Sequence, residues 1–259
     1  MYKTTKMPTG RSPDEEQYVP ELRKGFDDML YVISDLHGYP FDKFLELLEK
    51  AGFGGNDFLM VLGDVIDRGA DGVKYLEWLM RQKNADMLLG NHEAMLLSCH
   101  FLFEEVNEEN LSKLSQRHLR LVYQWADNGG NLTMDSLLNL NYHKRLAIVE
   151  YLRKRSLYER FELNGRQYML TLSGLRNFDS EKPLGEYDPD DFLWNRPQLT
   201  DRYYDDVTTV FGHTPSWFYG KEHEGKIIFT ETWIDIDTGA GYGFSPVLLR
   251  LDDMKQFTI

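Results

Sequence analysis

Cysteine is almost missing from this sequence: Cys99 stands alone among 259 residues. An intrachain disulfide is therefore impossible, which fits a reducing compartment. Cys99 itself reads as a small buried apolar residue. Long apolar runs are missing too. No stretch approaches the roughly 18 residues expected of a membrane span, and Met1–Gln17 is polar, without the apolar centre of a secretory signal. The expected location is cytoplasmic. Basic runs are the third absence. The formal net charge is −13, which argues against nucleic acid or an anionic membrane surface as the main partner. Positive charge at any site must then come from single arginines or from bound cations. No internal repeat is evident.

What the chain does have is three short apolar runs that each stop at polar residues beside glycine. Phe58-Leu59-Met60-Val61 leads into Leu62-Gly63-Asp64-Val65-Ile66-Asp67-Arg68-Gly69. Tyr31-Val32-Ile33 leads into Ser34-Asp35-Leu36-His37-Gly38, and Met87-Leu88-Leu89 into Gly90-Asn91-His92-Glu93. Runs of this length bounded by turn residues read as strands. Taken alone, the Asp67-Arg68 pair could be a helix N-cap beside a solvated arginine. Three strand ends that deliver Asp, His and Asn together are hard to explain by folding alone. These side chains are hard-to-borderline ligands, suited to Mn, Fe or Zn.

In their order these clusters resemble the calcineurin-like metallophosphoesterases of the protein serine/threonine phosphatase type. That family's pattern is D-x-H-G, G-D-x-x-D-R-G, G-N-H-E, H-x-G-L and G-H. Here it is matched by Asp35–Gly38, Gly63–Gly69, Gly90–Glu93 and Gly212-His213-Thr214, within about residues 29 to 251. The fourth motif departs: in Thr171-Leu172-Ser173-Gly174-Leu175, Leu172 stands where the family has a ligand of its second metal. Leu193-Trp194-Asn195-Arg196 resembles the family's L-W-x-R segment, and Asp235-Ile236-Asp237-Thr238-Gly239-Ala240 its I-D-T-G-A turn, where Asp237 is expected to be structural.

The resemblance implies roles. Asp35, His37 and Asp64 would bind a first metal. Asp64 would bridge to a second, which also takes Asn91 and His213. With Leu172 in place the second site is weakened, and one or two divalent ions (Mn, Fe or Zn) are expected. His223, between Glu222 and Glu224, is a remote candidate for the missing donor, and Ser173 a poor one. His92 would be the general acid, with Asp67 fixing its tautomer. Arg68, Arg196 and Asn91 would hold the phosphate. The implied activity is metal-dependent hydrolysis of phosphoric esters, first as a serine/threonine-type protein phosphatase or phosphomonoesterase. The alternatives are a diadenosine tetraphosphate hydrolase and a weakly active pseudo-phosphatase that binds a phosphorylated partner. The expected partner is thus a phosphorylated protein or a small phosphate ester or nucleotide.

The rest of the chain gives the architecture. Residues 1–28 read as an N-terminal arm, with a short helix or loop over Tyr18–Asp28, and 29–259 as a single domain. Phe41 to Leu48 and Val73 to Met80 have helical spacing between the strands, giving the βαβ pattern of a largely parallel sheet. Residues of about 94–156 carry apolar positions at three and four, read as three or four helices forming a cap. His100, His118 and His143 there read as surface or packing residues. After 156 the period shortens. Asn164-Gly165 marks a hairpin turn, and strands follow at Val207–Phe211, Ile227–Thr230, Thr232–Ile236 and Pro246–Leu251. A second sheet packed on the first predicts an α/β fold: a four-layer αββα sandwich of two mixed sheets with a helical cap.

Overall fold

The computed structural model describes residues 29–105, 107–112 and 114–259. The arm expected over residues 1–28 lies outside them. The chain forms two five-stranded sheets. In the first, β1 (Leu30–Ile33), β2 (Phe58–Val61) and β3 (Ala85–Met87) run parallel, and β9 (Leu248–Arg250) and β10 (Lys255–Phe257) add antiparallel strands beside β1. The second sheet has the order β4-β5-β6-β8-β7. Its hairpin of β4 (Tyr158–Leu163) and β5 (Arg166–Thr171) turns at Asn164-Gly165, both with positive φ. Next to β5 lie β6 (Val207–Phe211), β8 (Trp233–Asp235) and β7 (Ile228–Phe229). Both sheets are mixed, as expected, but the first departs from the largely parallel sheet expected of its βαβ pattern: β9, expected in the second sheet, and β10 pair antiparallel beside β1.

Strand alternation decides the layers. In β1 and β2, Leu30, Val32, Phe58 and Met60 face the second sheet, where they meet Tyr168, Leu170, Val210 and Ile234 in one buried cluster. Tyr31, Ile33, Leu59 and Val61 point the other way and are covered by helices. Those helices are α1 (Phe41–Ala51), α2 (Gly72–Leu79) and α3 (Asn91–Ser98), with Leu152 of α7 (Tyr142–Leu152). The outer face of the second sheet is covered more thinly. Phe211 and Trp233 pack there on Phe192 of the short helix α8 (Pro189–Leu193) and on loop residues such as Tyr203.

Between β3 and β4 the described residues form helices joined by short loops, with no strand. This stretch contains α3, a 3-10 turn at His100–Phe103, α4 (Glu108–Ser112), α5 (Gln116–Asp127), α6 (Asn131–Leu138) and α7. Among the described residues five α-helices occupy the stretch expected to hold three or four, because α4 is a separate short helix and Leu140-Asn141 parts α6 from α7. His118 closes the start of α5 by accepting from Ser115 N–H, His100 meets the Leu97 carbonyl, and His143 is exposed. Cys99 lies in the helix-covered core, where burial pushes its thiol up to about 12. Among the described residues no helix is long and apolar enough to cross a membrane.

Phe44 anchors α1 to α2 by edge contacts with Tyr75 and Trp78 at 5.1 and 5.4 Å. Its full burial leads us to expect that Phe44→Ala costs about 3–5 kcal/mol, read as a lowered midpoint in denaturant unfolding. A shift under about 1 kcal/mol would mean that the helix layer is not anchored there.

Candidate metal centre

The three parallel strands of the first sheet end at one edge, and each hands its next residues to the same place. Backbone hydrogen bonds lock the loops together: His37 N–H donates to the Asp64 carbonyl, Gly38 N–H to Val65 and Gly69 N–H to His37. The loops are conformationally strained. Of nine non-glycine residues with positive φ among those described, six belong to this site: Asp35, His37, Asp64, Asp67, Arg68 and His213. Such backbone costs about 1–3 kcal/mol per residue and persists only where its surroundings over-determine it.

One buried carboxylate supplies that determination. Glu93, in the first turn of α3, accepts hydrogen bonds from four backbone N–H groups: Asp64 and Gly90 at Oε2, Val65 and Ile66 at Oε1, over 2.9–3.4 Å. Burial and the neighbouring Asp64 carboxylate push the Glu93 carboxyl up to about 8, while the Asp64 N–H pulls the other way. Gly90 is required here, since a Cβ on it would collide with Asp64 Oδ1 and Glu93 Oε2.

Asp64 sits at the centre of the assembled groups. Its Oδ1 accepts from His92 N–H at 3.0 Å. Its Oδ2 faces His37 Nε2 at 3.9 Å and His213 Nδ1 at 4.0 Å. Burial alone would raise its pKa, but the neighbouring imidazoles of His92, His213 and His37 outweigh it and hold the carboxyl far below the usual range. Ligand atoms of Asp35, Asp64 and His213 lie within 4.8 Å of one another, and so do those of His37, Asp64 and His92. His37 Nδ1 donates to the Ile66 carbonyl at 3.0 Å, which turns Nε2 towards the two carboxylates. Asp35 is fixed by Ser34 Oγ and by His213 N–H, which bridges the two sheets.

His92 faces away from simple ligation at one nitrogen. Its Nδ1 is 2.6 Å from Asp67 Oδ2, and because a carboxylate only accepts, Nδ1 carries the proton. Burial would lower the His92 pKa, but the Asp64 and Asp67 carboxylates raise it overall. Its Nε2 lies 3.3 Å from an Arg68 nitrogen. Asp67 is itself held from the helical stretch: Trp125 Nε1–H donates to the same Oδ2 at 2.8 Å, and Asp67 N–H donates to Thr133 Oγ1.

Arg196 also reaches the centre, by donating from one nitrogen to the His213 carbonyl at 2.9 Å while the side chain stays exposed. Leu172 is fully buried in the helix-side core, and its Cδ1 lies close to Gly63. Ser173 points elsewhere and is consumed by the Phe192 carbonyl and Asn195 N–H. His223 sits beside Glu222 in its own loop and joins neither cluster. Asp237 accepts from Gly239 N–H, and burial, with Asp35 nearby, raises its pKa well above normal.

The donors suit a divalent cation. Buried Asn91 Oδ1 has no hydrogen-bond partner, a costly state unless another ligand satisfies it. With Asp35, His37, Asp64 and His213 it gives an oxygen and imidazole set typical of first-row metals. Sequence reading assigned no role to Glu93, Trp125 or Thr133. Glu93 carried a usable signal, because Glu in the first helical turn often reaches back to the N-cap N–H. Trp125 and Thr133 carried none, since they sit on ordinary amphipathic helices far along the chain.

The calcineurin-like phosphoesterase family profile matches residues 29–254. A symmetrical bis(5'-nucleosyl)-tetraphosphatase of Chromobacterium violaceum is 32% identical over 262 aligned positions, covering 89% of this chain and 94% of that protein. A protein of the same name from Buchnera aphidicola subsp. Acyrthosiphon pisum is 37% identical, but only over 82 residues, so this chain spans 30% of its length. Among solved structures, one proposed to be a diadenosine tetraphosphatase matches with a TM-score of 0.59 at 17% identity, covering 89% of this chain and 92% of that one.

Two substitutions test the centre. Glu93→Gln keeps the shape but replaces an accepting oxygen with a donating amide. It should cost about 1.5–3 kcal/mol in denaturant unfolding and lower the metal bound per chain by elemental analysis; an unchanged midpoint and metal content would remove Glu93 from its central position. Leu172→His adds an imidazole beside Gly63. More metal per chain than in the unsubstituted protein is the expected result, and two tightly held ions already present without the histidine would overturn it.

Proposed function

Because the chain belongs to the calcineurin-like phosphoesterase family, we propose that it is a metal-dependent hydrolase that cleaves dinucleoside tetraphosphates. The observation that carries the chemistry is the pair of carboxylate–imidazole clusters sharing Asp64, with the His92–Asp67 pair 2.6 Å apart beside them. The near-full-length relative named as a bis(5'-nucleosyl)-tetraphosphatase supports the nucleotide substrate over the phosphoprotein expected first. Asp35, His37, Asp64, Asn91 and His213 would hold the metal. A divalent ion there supplies a more acidic water and neutralises charge on the phosphoryl oxygens.

The protein's own groups do the remaining work. Arg68 and Arg196 bind phosphoryl oxygens, which suit the planar fork of a guanidinium. Water attacks phosphorus and releases a proton to solvent, from which His92 is later reprotonated, and the phosphorus–oxygen bond to the departing nucleotide breaks. His92 gives its Nε2 proton to that oxygen. Asp67 holds the ring through Nδ1, so that only Nε2 faces the substrate. Once Nε2 is protonated it cannot accept from Arg68, and the guanidinium is free for the phosphate. Asp67 stays an acceptor because Trp125 and His92 both donate to its Oδ2.

Leu172 favours a second reading, in which the protein binds a phosphorylated partner and turns over poorly. One assay separates the readings: hydrolysis of diadenosine tetraphosphate, a phosphoserine peptide and p-nitrophenyl phosphate at saturating Mn. We expect the dinucleotide to be the best substrate, and His92→Ala to lower its kcat about 10²–10⁴-fold with metal content unchanged. Turnover of the phosphopeptide alone would overturn the substrate, and equal loss of metal and activity would make His92 a ligand.

A further inference from the structure

The mouth of the centre is lined by exposed aromatic rings, and arginines tie them to the site. Arg68, 3.3 Å from His92, lies over the ring of Tyr242 at 4.6 Å. Arg196, bonded to the His213 carbonyl, lies over the ring of Phe218 at 5.7 Å. Tyr242 and Phe218 are 56% and 60% exposed. Trp217, the residue before Phe218, meets Tyr242 edge-on at 4.8 Å and stacks on Phe244 at 5.5 Å. The loops after β6 and β8 therefore make one aromatic rim with a site arginine at each end.

This rim is held against the chemistry. A Cβ on Gly241 would come within 2.6 Å of His37 Cδ2 and 2.8 Å of an Arg68 nitrogen, so the turn carrying Tyr242 lies directly on the centre. Neither ring belongs to the core, since both leave more than half their surface in water. Each has a guanidinium near its ring and leaves more than half its surface exposed to a flat ligand. A planar ring beside an arginine next to a phosphate-cleaving centre matches one kind of molecule: a base joined to a short polyphosphate. Two such stations match a molecule with a base at each end.

We infer that Tyr242 and Phe218 are stacking platforms for the two nucleobases of a dinucleoside polyphosphate, whose phosphates run between Arg68 and Arg196. Stacking of this kind needs only the π face of the base, so the platforms do not select adenine. The inference rests on the nucleotide-hydrolase reading for its substrate, but it can be tested without turnover.

The test is calorimetric binding to the Mn-loaded protein of methylenediphosphonate and of the methylene analogue of adenosine diphosphate, which differ only by the nucleoside. Stacking predicts that the nucleotide analogue binds about 5- to 150-fold more tightly. The double substitution Tyr242→Ala with Phe218→Ala should erase that ratio, and Tyr242→Phe with Phe218→Tyr should keep it. For diadenosine tetraphosphate, each alanine variant should raise KM more than it lowers kcat. Equal affinity of the two analogues, or a ratio that survives the double alanine variant, overturns the inference. A phosphotyrosyl peptide weakened more than the nucleotide analogue by the same variants also overturns it. If the ratio holds while the dinucleotide is not cleaved, the hydrolase reading fails and the platforms stand. If the dinucleotide is cleaved with KM unmoved, the platforms fail and the hydrolase reading stands.

Discussion

The site depends on one buried carboxylate that touches no substrate. Glu93 gathers the N–H groups of Asp64, Val65 and Ile66 from the loop after β2, and that of Gly90 from the start of α3. The loop after β2 cannot continue the regular bonds of helix or sheet, because it bends through positive φ at Asp64, Asp67 and Arg68. Unsatisfied, each buried N–H would cost about 1–3 kcal/mol. Satisfied by one carboxyl group, they become a rigid cradle that aims the Asp64 carboxylate inward. The same helix then contributes Asn91 and His92, so that its first three residues supply a candidate ligand, a candidate acid and the brace for the neighbouring loop.

Around this brace the structure divides its labour. The first sheet delivers three loops to one edge, because β1, β2 and β3 are parallel and end together. The second sheet delivers His213, whose N–H binds Asp35 across the interface between the sheets. The helical stretch between β3 and β4 is more than a cover. Trp125 and Thr133 grip Asp67, and the Gly129 carbonyl takes Arg68 N–H. Any change in the seating of α5 and α6 would therefore be felt at His92 through Asp67.

Asp67 also shows how burial tunes chemistry. It is fully buried, and one of its oxygens has no partner, while the other takes both Trp125 and His92. A carboxylate so placed favours positive charge on the imidazole it touches, which offsets the penalty of burying that ring. The raised pKa of His92 follows from this geometry and from Asp64. The candidate acid and the carboxylates that could hold a metal are therefore coupled by position.

The order of polar clusters at strand ends made the parallel sheet, the hairpin at Asn164-Gly165 and the family legible in the sequence. Asp35, His37, Asp64, Asn91 and His92 were legible for the same reason: strand periodicity and glycine spacing are local, and these residues lie within three such units. His213 was legible only through the resemblance, since nothing local links it to Asp35, 178 positions away. The full number of helices between residues 91 and 152 was not, because a helix as short as α4 has too few turns to show a period. Nor were the grip of Trp125 on Asp67 or the aromatic rim at Tyr242 and Phe218. A tryptophan on a helix face and a tyrosine in a glycine-rich turn have no periodic signature that says what they touch. Local spacing determined which residues could act; the meeting of two sheets and a helical stretch decided which of them are in contact, because contact between distant segments is fixed by packing of the whole core.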